Sequence, residues 1–248
     1  MSNKVLFGFH AVTVRLKTAP ESIIEVHFDD ERRDARMRGF LERCEEAGAK
    51  AIDSDDSRLS KLAGSPRHQG VVARVKPLAQ RHSLDEVLED VEALQEDPPL
   101  VLALDGVTDP HNLGACLRVA DGAGAHAVIA PKDHAVGLNA TVAKVASGAA
   151  ETVPYLMVTN LARSLNEMKE RGIRIIGTSD DAEHTLWDVD FTGPVAIVLG
   201  AEGPGMRQLT RKTCDQLISI PMAGAVESLN VSVAAAICLY EARRQRKG

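Results

Sequence analysis

Three short runs of this 248-residue chain carry side chains suited to chemistry. In residues 220–234 a loop holding Gly224 leads to Ser228, Leu229 and Asn230, directly before a run of Val, Ala, Ile and Cys that reads as a helix of small residues. A helix start presents unpaired backbone N–H groups, and an asparagine there can cap them. The apolar run 217–220 reads as the end of a strand, and α/β proteins build ligand sites at the carboxyl ends of strands. In residues 198–206, Gly200, Gly203 and Gly205 surround Glu202, so the loop can take unusual backbone angles and offer amides and carbonyls to a ligand. In residues 104–118 a strand end and a proline-containing turn lead to a helix expected to start near Asn112, with Leu113, Leu117 and Ala120 as its buried stripe. Arg118 lies one turn beyond Gly114, whose missing side chain leaves the arginine a clear reach toward the loop. Each run has a plainer reading. Asn112 would be a cap with Arg118 paired to Asp121, Glu202 a solvated turn residue, and Ser228 and Asn230 caps of a core helix. Three such loops following strands of one sheet point instead to one assembled site.

The elements that position these loops follow from apolar runs alternating with helical patterns. Strands are expected at 100–104, 127–130, 173–177, 195–199 and 217–220, and a helix over 160–171 with Asn160 as N-cap and Gly172 as its stop. Short buried strands alternating with helices imply an α/β domain with a mostly parallel sheet covered on both faces. No G-x-G-x-x-G follows the first strand and no P-loop occurs. Gly122 and Gly124 stand between a helix and a strand, the wrong order for a pyrophosphate cradle. Ahead of this domain, strands at 23–28 and 70–75 flank a charged helix over 31–47, a small α/β unit. The division is thus 1–77, an acidic segment 78–97 read as a solvated linker or exposed helix, and 98–248.

The net charge of −6 conceals that arrangement. Residues 1–77 hold 14 Lys and Arg against 12 Asp and Glu, and 98–248 hold 14 against 16, so the excess sits in 78–97, with one base and seven acids. Overall charge therefore excludes no nucleic-acid partner. Four dispersed cysteines (Cys44, Cys116, Cys214, Cys238) form no C-x-x-C pair, which argues for core thiols in a reducing cytoplasm and against a metal or disulfide framework. No run approaches the ~20 apolar residues of a membrane span, and no signal peptide opens the chain.

The runs N-x-G-x-x-x-R (Asn112, Gly114, Arg118), G-x-E-G-x-G (Gly200, Glu202, Gly203, Gly205) and S-L-N-x-S-V-A (from Ser228 to Ala234) resemble, in order and spacing, the three motifs of the SpoU branch of the SPOUT methyltransferases. Residues 8–12 and 68–75 look like the small L30e-like substrate-binding domain fused to those enzymes. The resemblance implies a deep trefoil knot in the C-terminal part, one of the rare exceptions to unknotted topology, and a homodimer paired through it. It implies S-adenosyl-L-methionine as cofactor, lined by Gly200, Ile220 and Leu229, with Thr178 and Ser179 as further candidates, and no metal. The implied reaction is 2′-O-methylation of a guanosine ribose in 23S rRNA, in the peptidyl-transferase P loop, acting on the rRNA or on an assembly intermediate of the large subunit. Arg118 is its implied central catalytic residue, as base or as a clamp on the neighbouring phosphate, with Asn112, Glu202, Ser228 and Asn230 orienting it and the ribose. RNA contacts are expected at Arg32, Arg36, Arg67 and His68. The tail 243–247 would touch RNA or be a frayed helix end. A tRNA enzyme sharing the same motifs is the nearest alternative; a non-catalytic RNA-binding relative and a nicotinamide enzyme are the readings from other classes.

Overall fold

The computed structural model describes residues 4–76, 83–94 and 97–247, and the chain divides into two compact units, Met1–Gln80 and Arg81–Gly248. The first runs β1 (Lys4–Phe7), α1 (Phe9–Thr18), β2 (Ile23–Asp29), α2 (Ala35–Glu46), β3 (Ala51–Ser54), α3 (Asp56–Ala63) and β4 (Val71–Val75). Its sheet has the order β1-β4-β2-β3, antiparallel except for the parallel pair β2 and β3. The α2 helix starts at Ala35 rather than near 31 because Asp34 caps it, its Oδ1 accepting from Met37 N at 2.8 Å. Phe9 and Phe40 meet edge-to-face at 5.4 Å. They share a core with Val26, Met37 and, from β4, Val71, Ala73 and Val75.

The second unit runs α4 (Leu84–Leu94), β5 (Leu100–Asp105), α5 (Pro110–Ala123), β6 (Ala127–Pro131), α6 (Ala140–Ala146), α7 (Ala149–Thr152), β7 (Tyr155–Val158), α8 (Leu161–Glu170), β8 (Arg174–Thr178), β9 (His184–Thr185), β10 (Val195–Gly200), α9 (Gln208–Thr213), β11 (Gln216–Ser219) and α10 (Val231–Lys247). Its seven strands lie in the order β7-β6-β5-β10-β8-β11-β9, and every neighbouring pair is parallel. Alternation along the strands divides the core. Leu102, Leu104 and Ile197 face α5 and α10 through Leu113, Leu117, Ala235 and Leu239. Val101, Ala103 and Ile175 face α4 and α8 through Val87, Leu88, Leu165 and Met168.

Several elements differ from the expectations. The short strands β1, β3, β7 and β9 were not anticipated; each has too few residues to show a period. The acidic segment lies partly outside the described residues, but its 84–94 stretch is α4, which buries Val87, Leu88 and Val91. Arg171 draws on three acids of that helix, 2.8 Å from Asp85, 3.9 Å from Glu89 and 3.8 Å from Glu92. The α5 helix starts at Pro110, with Asp109 as its cap accepting from His111 N at 2.9 Å. Proline suits that first position because its missing N–H would have had no helical partner. Asn112 is therefore inside the first turn rather than the cap. The basic tail is docked, not frayed: Arg246 donates to the carbonyls of Phe191, Pro98, Pro99 and Gly193 at 2.7–3.1 Å.

Candidate active site

Gly200 ends β10, and the chain then folds back so that Ala201 and Gly205 bridge through both backbone N–H groups. A Cβ on Gly200 would lie 2.1 Å from the carbonyl carbon of Gly205, and Gly203 and Gly205 have φ of 83° and 69°. Each glycine of the G-x-E-G-x-G run thus answers a separate steric demand. Buried Asp105, at the end of β5, fixes the far side of this loop by accepting from Arg207 N at 2.8 Å and Arg207 Nε at 2.7 Å.

The fold-back presents Glu202 to the other two motifs. Glu202 Oε1 accepts from Asn230 Nδ2 at 2.6 Å, Asn112 Nδ2 at 3.1 Å and Val231 N at 3.3 Å. Asn230 Nδ2 also donates to Asn112 Oδ1 at 2.8 Å, while its Oδ1 accepts from Ser232 N at 2.9 Å and caps α10. The capping role and the network role therefore coexist on one side chain, and the three motifs meet at one carboxylate.

Beside this network lies a cleft of about 370 Å³ at the carboxyl ends of β8, β10 and β11. Of the expected cofactor residues, Thr178, Ser179, Gly200, Ile220 and Leu229 all line it, together with Glu202 and Ser228. Its other charged lining groups are Asp180, Glu227 and Arg211. Arg211 donates to Ser179 Oγ at 2.5 Å and to both oxygens of Asp181. The hydroxyl of Ser179 and the Arg211 guanidinium hold the Asp181 carboxyl below the usual carboxylate range.

Arg118 is not part of the Asn112–Glu202–Asn230 network. It is exposed, and no described residue pairs with it. The plain alternative of an Arg118–Asp121 pair is also not formed; Asp121 accepts from Thr152 Oγ1. A Cβ on Gly114 would lie 2.7 Å from Val145 Cβ, so the glycine is required by the close packing of α5 on α6.

The expected RNA contacts of the first unit separate into two kinds. Arg32 is held internally, donating to Asp34 Oδ2 and to Gln69 O at 2.7 Å, and stacks on Phe9. His68 is buried: its Nδ1 accepts from Gly70 N and its Nε2 lies 3.1 Å from Ser60 Oγ, which makes it a fixed post for the 68–70 turn. Arg36, over the Phe9 ring at 4.5 Å, and Arg67 are exposed. Asp105, Arg207, Arg211 and Asp181 were missed by sequence reasoning. Only Asp105 carried a signal, an acid closing an otherwise apolar strand.

The SpoU rRNA Methylase family model matches residues 99–240, and the model for RNA 2′-O ribose methyltransferase substrate binding matches residues 5–81. The chain is 63% identical over 244 residues to the 23S rRNA (guanosine-2′-O-)-methyltransferase RlmB of Ralstonia nicotianae, covering 98% of this chain and 96% of that protein. It is 59% identical to the protein of the same name from Bordetella pertussis, over 100% of this chain and 99% of that one. Among solved structures, the SpoU methyltransferase AviRb from Streptomyces viridochromogenes in complex with the cofactor AdoMet aligns with a TM-score of 0.70 at 26% identity, over 98% of this chain and 90% of that one.

Proposed function

The chain belongs to the SpoU rRNA methylase family, and from that premise we propose that it methylates the ribose 2′-hydroxyl of a guanosine in 23S rRNA, using S-adenosyl-L-methionine. The observation that carries the reading is the convergence of Asn112, Glu202 and Asn230 beside a cleft lined by the expected cofactor residues. The donor set fits the cofactor. Apolar Leu199, Ile220 and Leu229 suit a flat base, the Thr178 and Ser179 hydroxyls suit a ribose, and the carboxylates of Asp180, Glu202 and Glu227 suit a cation.

Bound there, the cofactor supplies a methyl group made electrophilic by its sulfonium. The protein's task is to hold the hydroxyl in line with that methyl and to stabilise the charge that develops as its proton leaves. Glu202 holds the motif loop and the start of α10 in register through its three accepted hydrogen bonds. Ser228, on the cleft wall, orients the ribose. Arg118 clamps the phosphate next to the reacting ribose. A guanidinium keeps its proton at neutral pH, so the proton passes to a phosphate oxygen or water rather than to Arg118. The absence of any described partner for Arg118 supports a role toward an external anion.

Residues 1–77 serve in this reading as an L30e-like RNA-binding domain, with Arg36 and Arg67 among its exposed cations, and 98–248, with α4 packed on it, as the catalytic domain. The connection from β11 back to α10 would thread the knot. A homodimer would pair there, a reading supported by Val233 and Tyr240, which stand 45% and 52% exposed on α10. The finer target, a guanosine of the peptidyl-transferase P loop in the rRNA or an assembly intermediate, rests on the family resemblance, and so does a cytoplasmic location. Among the described residues no helix is long and apolar enough to cross a membrane.

Radiolabelled S-adenosyl-L-methionine with unmodified 23S rRNA fragments, unmodified tRNA and a no-RNA control tests the reading. Label confined to one rRNA guanosine ribose is the expected result. Label on tRNA would overturn the substrate and keep the chemistry.

A further inference from the structure

The cleft is lined by three carboxylates and one guanidinium, that of Arg211. The proposed cofactor carries two positive groups, the sulfonium and the α-ammonium, and one negative group, the carboxylate of its amino-acid tail. Three acids can serve the two cations, and Arg211 alone among the lining residues carries a positive charge for the anion. We propose that Arg211 is a further cofactor-binding residue, which receives the carboxylate of the methionine tail, a reading that rests on the S-adenosyl-L-methionine assignment above.

The side chain is built for this. Arg211 lies in α9, and its position is set by Nη1 donating to Ser179 Oγ at 2.5 Å and Nη2 donating to Asp181 Oδ1 at 2.8 Å and Oδ2 at 3.0 Å. Ser179 is itself anchored, its backbone N–H donating to Ile218 O at 2.8 Å. The guanidinium is therefore held at the cleft wall beside the ends of β8 and β11. Its Nε has no acceptor among the described residues, and Nη1 has a second N–H beyond the one given to Ser179. An arginine offers five donors in a planar fork, so a carboxylate can be added without displacing Asp181. The side chains of Arg211 and Asp181 are 37% and 65% exposed, so the guanidinium is open to a ligand entering the cleft. Asp181 and Ser179 act as positioning residues for the guanidinium.

The test is calorimetric titration of the full-length protein with S-adenosylhomocysteine and with its decarboxylated analogue, which differs only in the carboxylate. The wild type should bind S-adenosylhomocysteine at least about ten-fold more tightly, the scale of a charge-assisted hydrogen bond. Arg211→Met should lose that preference, weakening S-adenosylhomocysteine about ten-fold while leaving the decarboxylated analogue unchanged. Arg211→Lys should restore part of the preference. Equal weakening of both ligands in Arg211→Met would mean that Arg211 only holds the cleft together, and unchanged binding of both would mean it does not touch the tail; either result overturns the inference. If the wild type binds neither ligand, the cofactor assignment itself fails and the inference falls with it.

Discussion

Asn230 offers the sharpest test of the assembled site, because one side chain does two separable jobs. Its Oδ1 caps α10 by accepting from Ser232 N at 2.9 Å, and its Nδ2 donates to Glu202 Oε1 at 2.6 Å and Asn112 Oδ1 at 2.8 Å. Asn230→Ala removes both, at about 1 kcal/mol for the cap and about 1 kcal/mol for each neutral or partly exposed network bond, or about 2–3 kcal/mol in all. Asn230→Asp keeps the cap and replaces the donor with a carboxylate facing Glu202. Two such charges about 4 Å apart repel by ~1 kcal/mol in water and more where the loop excludes it. Urea denaturation at pH 7 reads both losses, and the labelled-methyl assay should show both variants slowed at least about 100-fold. If Asn230→Asp matches the wild type at pH 7, the amide does not donate to Glu202, and the network around that carboxylate is wrong.

Other perturbations probe neighbouring claims. Arg118→Ala should abolish methyl transfer while changing stability by less than about 0.5 kcal/mol, since the side chain is exposed and has no partner among the described residues; partial activity in Arg118→Lys would favour the phosphate clamp over a guanidine base, and near-normal turnover of the alanine variant would refute both. Gly200→Ala puts a methyl 2.1 Å from the Gly205 carbonyl carbon, so it should cost about 1–3 kcal/mol and weaken cofactor binding in a titration. Arg246→Ala strips four carbonyls of a shared donor and should lower stability by about 2–4 kcal/mol in urea denaturation with little effect on methyl-transfer chemistry. Burial raises the thiols of Cys116 and Cys238 from 9.0 to about 12, with Glu202 adding to the effect at Cys116. A folded value raised in this way favours the native state below pH 9 and loses that advantage above it. These two thiols should therefore leave stability unchanged to about pH 9 and subtract about 2–3 kcal/mol at pH 10, with Cys44 and Cys214, pushed up by burial to about 11, adding to the drop; a flat profile would contradict the burial of these thiols.

The parts of this molecule that could be read from sequence are those whose signal is local. The central strands β5, β6 and β10 are continuous apolar runs because both faces of the sheet are covered. Asn160 and the glycines of the G-x-E-G-x-G run declare their positions because a cap and a positive φ each demand particular residue types. Strands such as β9, with two residues, and β3, with alternating exposure at a sheet edge, carry no such demand. Residue choice near α5 was misread for a related reason. Asn112 and Asp109 are both good caps by type, and only the start at Pro110 assigns the task to Asp109 and releases Asn112 for Glu202.

What the sequence could not supply is pairing between residues far apart in the chain. Asp105 meets Arg207 across 102 positions, and Arg211 meets Ser179 across 32. None of the four belongs to a recognisable spacing, because the register of β5, β8 and β10 brings them together and that register is a property of the folded sheet. The motifs behave differently for the same reason. Asn112, Glu202 and Asn230 stand 118 positions apart at the extremes, yet each follows a strand of one parallel sheet, and the carboxyl ends of such strands lie side by side. Parallel topology turns a local observation, a polar-tipped loop after an apolar run, into a statement about proximity. Arg118 is the exception that fits the rule: it lies two turns into α5, beyond the strand end, and there its side chain pairs with no other motif residue.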